Sequence, residues 1–562
     1  MLQKLYTQRG ESLTQTPWNV YPRPRMRRES YVNLNGQWEF SAQDFSGKIT
    51  VPFCPESALS GVERHFGEGE TLTYTRNFTL PADFNRGRVL LHIGAADQQI
   101  KCYVNEKEVG AHFGGYLPAT FDITDALREE NTLKILARDD LRDLSYPYGK
   151  QVRKRGGMWY TPVSGIWQTV WLESVPEQYI ENVQVENRGY SVTVTVTPAR
   201  DGKVVVPDLG EYPLENGSVT ITPADPHLWS PEDPYLYDFS VVTDTDRVES
   251  YFAIRSIGME KVNGIPRILL NGKPYFFHGL LDQGYWPDGI YTPATPECYA
   301  DDILAMKKLG FNTLRKHIKV EPQEFYYQCD RLGMIVFQDM VNNGRYSFFR
   351  DTLLPTVGLQ KLGDKHLHPD PKTRGVFLHM AQATVELLKS HPSICYWTIF
   401  NEGWGQFRSD LVYELFRSWD NTRVIDSTSG WFRRKKTDVE SFHIYFNFWH
   451  RLKMHPARPV IVSEFGGFAL PVQEHLFNPD KAFGYKTCKD FADYQKAVDE
   501  LYRTRVLPAI PQGLCGTIYT QVSDVEDEIN GILTYDRKVN KADETAMAAL
   551  AADLQEAMAK SS

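Results

Sequence analysis

Two glutamates stand at the ends of apolar runs. In CYWTIFNEGWGQF (395–407) a β-branched and aromatic run carries straight into Asn401 and Glu402, and in PVIVSEFGG (459–467) a shorter run ends at Glu464. A carboxylate at the end of a buried strand costs desolvation energy unless it is paired or used. Two facing carboxylates can cleave a glycosidic bond: one protonates the leaving oxygen, and the other attacks the anomeric carbon when the gap is about 5–5.5 Å. The acid then needs a raised pKa, which partial burial and a neighbouring negative charge supply. Asn401 is placed to hydrogen-bond a sugar hydroxyl beside the anomeric centre. Glu402 and Glu464 are the catalytic candidates.

The elements that must position them follow Gly258. From there apolar runs alternate with helical patterns, and eight candidate strands appear: PYFFHGLL, FNTLRKH, MIVFQDM, ICYWTIFNE, VIDSTS, SFHIYF, VIVSEF and CGTIYTQ. Between them PECYADDILAMKKLG places Tyr299, Ile303 and Met306 on one helical face, and SDLVYELFRSW places Leu411, Leu415 and Trp419 on another. This pattern predicts a (β/α)8 barrel over residues 259–562, irregular after strands five and six, where WFRRKKTDVE and NFWHRLKMHPAR are too short for full helices. Reacting groups of such barrels sit at the C-terminal strand ends. Glu402 ends the fourth strand and Glu464 the seventh. Asp282, Arg315, His317, Asp339, His443 and Tyr445 gather at the same rim as substrate-binding candidates, and Trp286 and Trp404 are the aromatic ones.

The rest of the chain reads as strands. Residues 1–176 hold short alternating segments (RVLLHIG, IKCYVNEKEVG, LKILARD) separated by Gly, Asn and Asp turns, and residues 177–258 continue as a small β-sandwich. LWSPEDPYLYDF, with three prolines, suits an edge or loop. The formal charge of −9 gives no case for nucleic acid, and no run of about 18 apolar residues marks a membrane span. The opening MLQKLYTQRGESL lacks the apolar core of a secretory signal, and the seven cysteines are scattered with no CxxC pair. Cys102, Cys329 and Cys395 read as buried thiols. The expectation is a cytoplasmic protein with no metal and no cofactor, since neither a metal-ligand constellation nor a phosphate loop is present. A homo-oligomer is left open.

NEGWGQ and SEFGG resemble the two catalytic motifs of glycoside hydrolase family 2, which includes β-galactosidases, β-glucuronidases and β-mannosidases. VGAHFGGYLPATFDIT (109–124) and WYTPVSGIWQTVWLE (159–173) resemble its N-terminal jelly-roll sandwich, HLWSPEDPYLYDF (227–239) its immunoglobulin-like middle domain, and FNTLRKH its barrel. The resemblance implies a retaining exo-glycosidase with Glu402 as acid/base and Glu464 as nucleophile, and Arg315 and Tyr445 as side chains that keep the nucleophile ionised and aimed. The resemblance does not fix the sugar, and a β-galactoside-type substrate is the favoured expectation. β-Galactofuranosidase or α-L-arabinofuranosidase, a β-uronidase for galacturonide or glucuronide, and a catalytically inactive carbohydrate-binding protein remain open alternatives. The Asn-x-Lys that grips a uronic carboxylate in the β-glucuronidase pattern is replaced by acidic residues in SDVEDEINGILTYDR (523–537). Against that, the basic run FRRKK (432–436) follows the fifth strand on the rim side and could bind an acidic sugar.

Overall fold

The structure, a computed structural model, describes residues 2–561 apart from 15, 355–362, 369, 433 and 446–447. The alternation read in the N-terminal third folds into two facing antiparallel sheets. One has six strands running from Phe45–Val51 through Gly36–Ala42, Thr71–Phe78, Asn131–Arg138 and Gln99–Val104 to Lys107–Phe113. The other has four, with Val170–Val175 and Arg88–Ile93 at its centre. Asn131–Arg138 alternates strictly between buried and less buried positions, and Trp38, Tyr74, Leu91, Ile135 and Leu172 fill the space between the sheets. A second, smaller sandwich pairs a three-stranded sheet around Ser191–Thr197 with a four-stranded one around Tyr237–Val242, over a core of Val185, Val194, Val204, Phe239 and Val248. The proline-rich stretch before Tyr237 forms no ladder; it contributes only an isolated bridge from Leu228 to Ile254.

All eight barrel strands form. They are β1 (Phe277–Asp282), β2 (Thr313–Lys316), β3 (Ile335–Asp339), β4 (Ile394–Asn401), β5 (Val424–Ser429), β6 (Glu440–Ile444), β7 (Val460–Gly466) and β8 (Leu514–Thr520). Every pairing is parallel, in the order β5-β4-β3-β2-β1-β8-β7-β6. The seam between β5 and β6 has no backbone ladder. Side chains bridge it instead: Ser429 Oγ lies 3.3 Å from Ser441 Oγ and 3.0 Å from His443 Nε2. The short connections foreseen around β5 and β6 are there, with a single 3-10 turn at Phe448–Arg451 in place of a helix after β6.

Helix α1 (Glu297–Lys308) buries Tyr299, Ile303 and Met306 as its periodicity predicts. The later helix α2 (Ser409–Trp419) does not bury the predicted face. Leu411 and Leu415 are 58% and 40% exposed, and the helix instead buries Ser409, Val412 and Phe416. Its sequence carries two interleaved apolar stripes. The one that wins buries Phe416 completely and starts at Ser409, whose backbone N–H is anchored on Asp364 at 3.0 Å. All seven cysteines are buried free thiols.

Candidate active site

Strands β4 and β7 are buried at every position, so each delivers its last polar residues from a rigid, dry wall. Directly after Asn401 the backbone turns out of the ladder. Glu402 takes φ +52° and Gly403 φ +75°, a left-handed pair that costs energy at the glutamate and is held from both sides. The Glu402 N–H donates to Ser429 O (2.9 Å), and Trp431 Nε1 donates to Glu402 O (3.0 Å). A side chain at position 403 would collide with Phe432, since its Cβ would lie 2.3 Å from that ring.

Arg315, fully buried at the end of β2, organises the floor. Its fork donates to Asp339 twice (2.9 and 3.0 Å), to Asn401 Oδ1 (2.8 Å), to Ser463 O (3.0 Å) and to Glu464 Oε1 (3.1 Å). Asp339 also meets His317 Nδ1 at 2.7 Å. The other oxygen of Glu464 accepts from Tyr445 Oη at 2.8 Å, and Tyr445 in turn reaches Thr520 at 2.9 Å. Burial opposes ionisation of Glu464, yet its neighbours His443 and Arg315 reverse that and hold its pKa well below the usual carboxylate range. Asp339 is lowered in the same way: burial is outweighed by Arg315 and His317. Burial, together with Glu464, pushes the Tyr445 phenol well above its ordinary pKa, so it stays a donor.

His443, at the β6 end, joins the two glutamates. Its Nδ1 lies 2.7 Å from Glu402 Oε1 and 3.4 Å from Glu464 Oε2. Its Nε2 faces Ser429 Oγ at 3.0 Å and Arg315, 3.5 Å away. A carboxylate oxygen can only accept, so the short contact to Glu402 is an N–H donated from Nδ1. One oxygen from each glutamate and a ring nitrogen of His443 all lie within 4.8 Å of one another. No metal pattern is legible in the sequence, but the fold brings Glu402, His443 and Glu464 close enough to share an ion. The direct hydrogen bond between His443 and Glu402 already accounts for part of that closeness. Glu402 keeps 18% of its side chain exposed against 8% for Glu464.

The structure thus joins Glu402, Glu464, Asn401, Arg315, His317, Asp339, His443 and Tyr445 in one network. Asp282 is not part of it: it pairs with Lys316 Nζ at 2.6 Å, next to Glu321. Trp286 is buried under the Arg537 guanidinium, 4.1 Å from its ring centre, and touches neither glutamate. Trp404 forms a wall, packed edge-on against Tyr148 and Trp159 of the N-terminal sandwich at 5.3 and 5.2 Å. The basic run turns toward helix α2: Arg434 lies 3.6 Å from Asp410, and Lys436 pairs with Glu414 at 2.5 Å. Arg433 lies outside the described residues. Ser429, Ser463, Thr520 and Tyr485, which stacks on Tyr445 with ring centres 3.8 Å apart, escaped the sequence reading. The strand-end rule that selected Glu402 would also have selected Ser429 and Thr520.

Comparison with known proteins agrees with this architecture. Residues 261–550 match the profile described as "Glycosyl hydrolases family 2, TIM barrel domain", and residues 175–255 match "Glycosyl hydrolases family 2". The chain is 25% identical over 348 residues to a β-galactosidase of Thermoanaerobacter pseudethanolicus, covering 55% of this chain and 46% of that one. It is 22% identical over 593 residues to a β-glucuronidase of Bacteroides fragilis, covering 91% and 80%. It spans less than half the length of the β-galactosidases it matches. Among solved structures, the β-D-glucuronidase of Dictyoglomus thermophilum superposes with a TM-score of 0.72 at 19% identity, covering 96% of this chain and 98% of that one. A β-galacturonidase of Eisenbergiella tayi bound to galacturonate gives 0.68 at 19%, covering 96% and 99%.

Proposed function

The chain belongs to glycoside hydrolase family 2, and we propose that it is a retaining exo-β-glycosidase with Glu464 as nucleophile, Glu402 as acid/base and a β-galactoside-type glycone as substrate. The observation that carries this reading is the asymmetry of the two facing glutamates. Glu464 is buried, fixed by Arg315 and Tyr445, and kept ionised. Glu402 is partly exposed and bound to His443 through Oε1, and among the described residues no side chain engages Oε2, the oxygen that would hold and pass a proton.

In the first step a Glu464 oxygen attacks the anomeric carbon while the Glu402 proton passes to the departing glycosidic oxygen. The C–O bond to the aglycone breaks, and a glycosyl–Glu464 ester remains. In the second step the Glu402 carboxylate takes a proton from water, the water oxygen attacks the same carbon, and Glu464 leaves as a carboxylate. Two inversions give net retention. Arg315 holds the Asn401 carbonyl, so the amide presents its N–H groups as the end available to a hydroxyl of the sugar. Among the described residues no partner occupies that Nδ2.

The test is a rescue experiment. Glu402→Ala should slow hydrolysis of alkyl glycosides far more than that of aryl glycosides with good leaving groups, because the latter need little protonation. Added azide should restore the second step and yield the β-glycosyl azide. An α-azide product, or equal losses on both substrate types, would remove Glu402 from the acid/base role. The β-glucuronidases and β-galacturonidase that match nearly the whole fold favour a second reading, a uronide glycone, and a panel of 4-nitrophenyl glycosides compares the two directly.

A further inference from the structure

The N-terminal sandwich sends one loop across the barrel mouth, and three successive residues fix where it goes. Tyr148 donates its N–H to Asn342 O (3.1 Å) and its hydroxyl to Gly344 O (2.8 Å), just beyond the end of β3, and packs on Trp404. Gly149, at φ +61°, lies flat against the residue after His317: a Cβ there would sit 3.1 Å from Ile318 O. Lys150 follows. Its carbonyl accepts the Tyr160 N–H at 3.0 Å, and its ammonium lies 5.9 Å from the centre of the Trp159 ring, which itself abuts Trp404. The lysine is therefore held beside the aromatic wall that Trp159 and Trp404 form at the pocket. Among the described residues Lys150 forms no ion pair.

Glu528 comes from the loop after β8. It is 3% exposed, and its two oxygens each accept one hydrogen bond, from Tyr160 Oη and from Asn530 Nδ2 (3.0 Å). Burial lifts its pKa above the ordinary value, opposed by Lys150 and by the two donors, and each oxygen keeps a second lone pair. Asn530, which binds it, and Tyr485 both lie against Gly467, and Tyr485 stacks on Tyr445, the partner of Glu464, so Glu528 borders the same cleft.

We propose that Lys150 and Glu528, brought together from the N-terminal sandwich and the barrel, form a two-domain clamp on hydroxyl groups of a neutral glycone. The proposal rests on the β-glycosidase reading and narrows its substrate class. A cation and a carboxylate in one cleft, beyond pairing distance of each other, need a ligand that can accept from one and donate to the other. A sugar hydroxyl does both. A uronate carboxylate can only accept, and it would have to settle among Glu528, Glu464 and Glu402 with one lysine to balance them. Within FRRKK, Arg434 lies beside Asp410 and Lys436 pairs with Glu414, so neither of these two supplies the missing charge.

The test couples protein to substrate. 4-Nitrophenyl β-D-galactopyranoside, its 3-, 4- and 6-deoxy analogues and 4-nitrophenyl β-D-galacturonide are assayed with the wild-type chain, with Lys150→Gln and with Glu528→Gln, and each variant's thermal melt is recorded. The wild type should prefer the galactoside to the galacturonide by about tenfold or more in kcat/KM, and at least one deoxy analogue should lose about tenfold. In Lys150→Gln that deoxy penalty should shrink to less than about threefold, because the partner of the missing hydroxyl is already gone. Glu528 is buried and its variant could unfold, so the half-buried Lys150 carries the result. Deoxy penalties that are the same in wild type and Lys150→Gln, or a wild type faster on the galacturonide, would overturn the clamp while leaving the glycosidase intact. No turnover of any of the five would overturn the β-galactoside-type reading and the clamp with it.

Discussion

Arg315 is the residue on which the site's order depends. It is buried, and it satisfies Asp339, Asn401, Glu464 and the Ser463 carbonyl at once. Arg315→Met would leave Asp339 and Glu464 as buried carboxylates without their cation, and should cost about 3–5 kcal/mol in urea unfolding as well as most of the activity. Lysine cannot repair it, since an ammonium lacks the planar fork that serves Asp339 and Asn401 together. The same chemistry fixes a pH dependence. Glu464 and Asp339 have folded-state pKa values below their ordinary 4.5 and 3.8, so in acid the unfolded chain binds more protons than the folded one. Their stabilisation is complete above the ordinary values and is lost as pH falls through the depressed ones. The difference in unfolding free energy between wild type and Glu464→Gln, measured by urea titration, should therefore hold steady down to about pH 5 and change below it, where the wild type alone loses this contribution and so has the steeper acid limb. An equally steep acid limb in the variant would mean that Glu464 is not held ionised by the fold.

Strands β4 and β7 were legible because their apolar runs are unbroken and each stops at a glutamate, and the fold repeats that text as buried ladders. The strained exit from β4 was not legible. Nothing in NEGWG says that Glu402 itself takes φ +52°; only the following glycine hints at a turn. Gly403→Ala should destabilise by about 1–3 kcal/mol, because a methyl there would run into Phe432, and should slow catalysis by displacing Glu402. A urea midpoint and a kcat read both effects. Helix α2 shows a different limit. Two apolar stripes share one short sequence, and periodicity cannot choose between them; the choice is made by what lies beneath. Phe416→Ala should cost about 3–5 kcal/mol, whereas Leu411→Ala should stay within about 0.5 kcal/mol. The rim residues His443, Tyr445, Arg315, His317 and Asp339 were found by the strand-end rule. Asp282 obeys the same rule and still turns away, since it pairs with the neighbouring Lys316.

At the scale of the molecule, the pocket is not made by the barrel alone. Tyr148, Lys150 and Trp159 reach it from the N-terminal sandwich, more than 200 residues before Glu402 in sequence, and no local pattern marks them. Trp159 packs on Tyr346 and Trp404 with ring centres 5.0 and 5.2 Å apart. Trp159→Ala should raise KM by about tenfold, on the scale of one or two aromatic contacts, with little change in the thermal melt. An unchanged KM would place the substrate elsewhere. The central claim is that Glu464 forms the covalent bond to the sugar, and it can be read directly. Incubation with 2-deoxy-2-fluoro-β-D-galactosyl fluoride, followed by proteolysis and mass spectrometry, should find one added fluoroglycosyl group on the peptide containing Glu464, and none in Glu464→Gln. A fluoroglycosyl group on Glu402 or on any other residue would contradict the account.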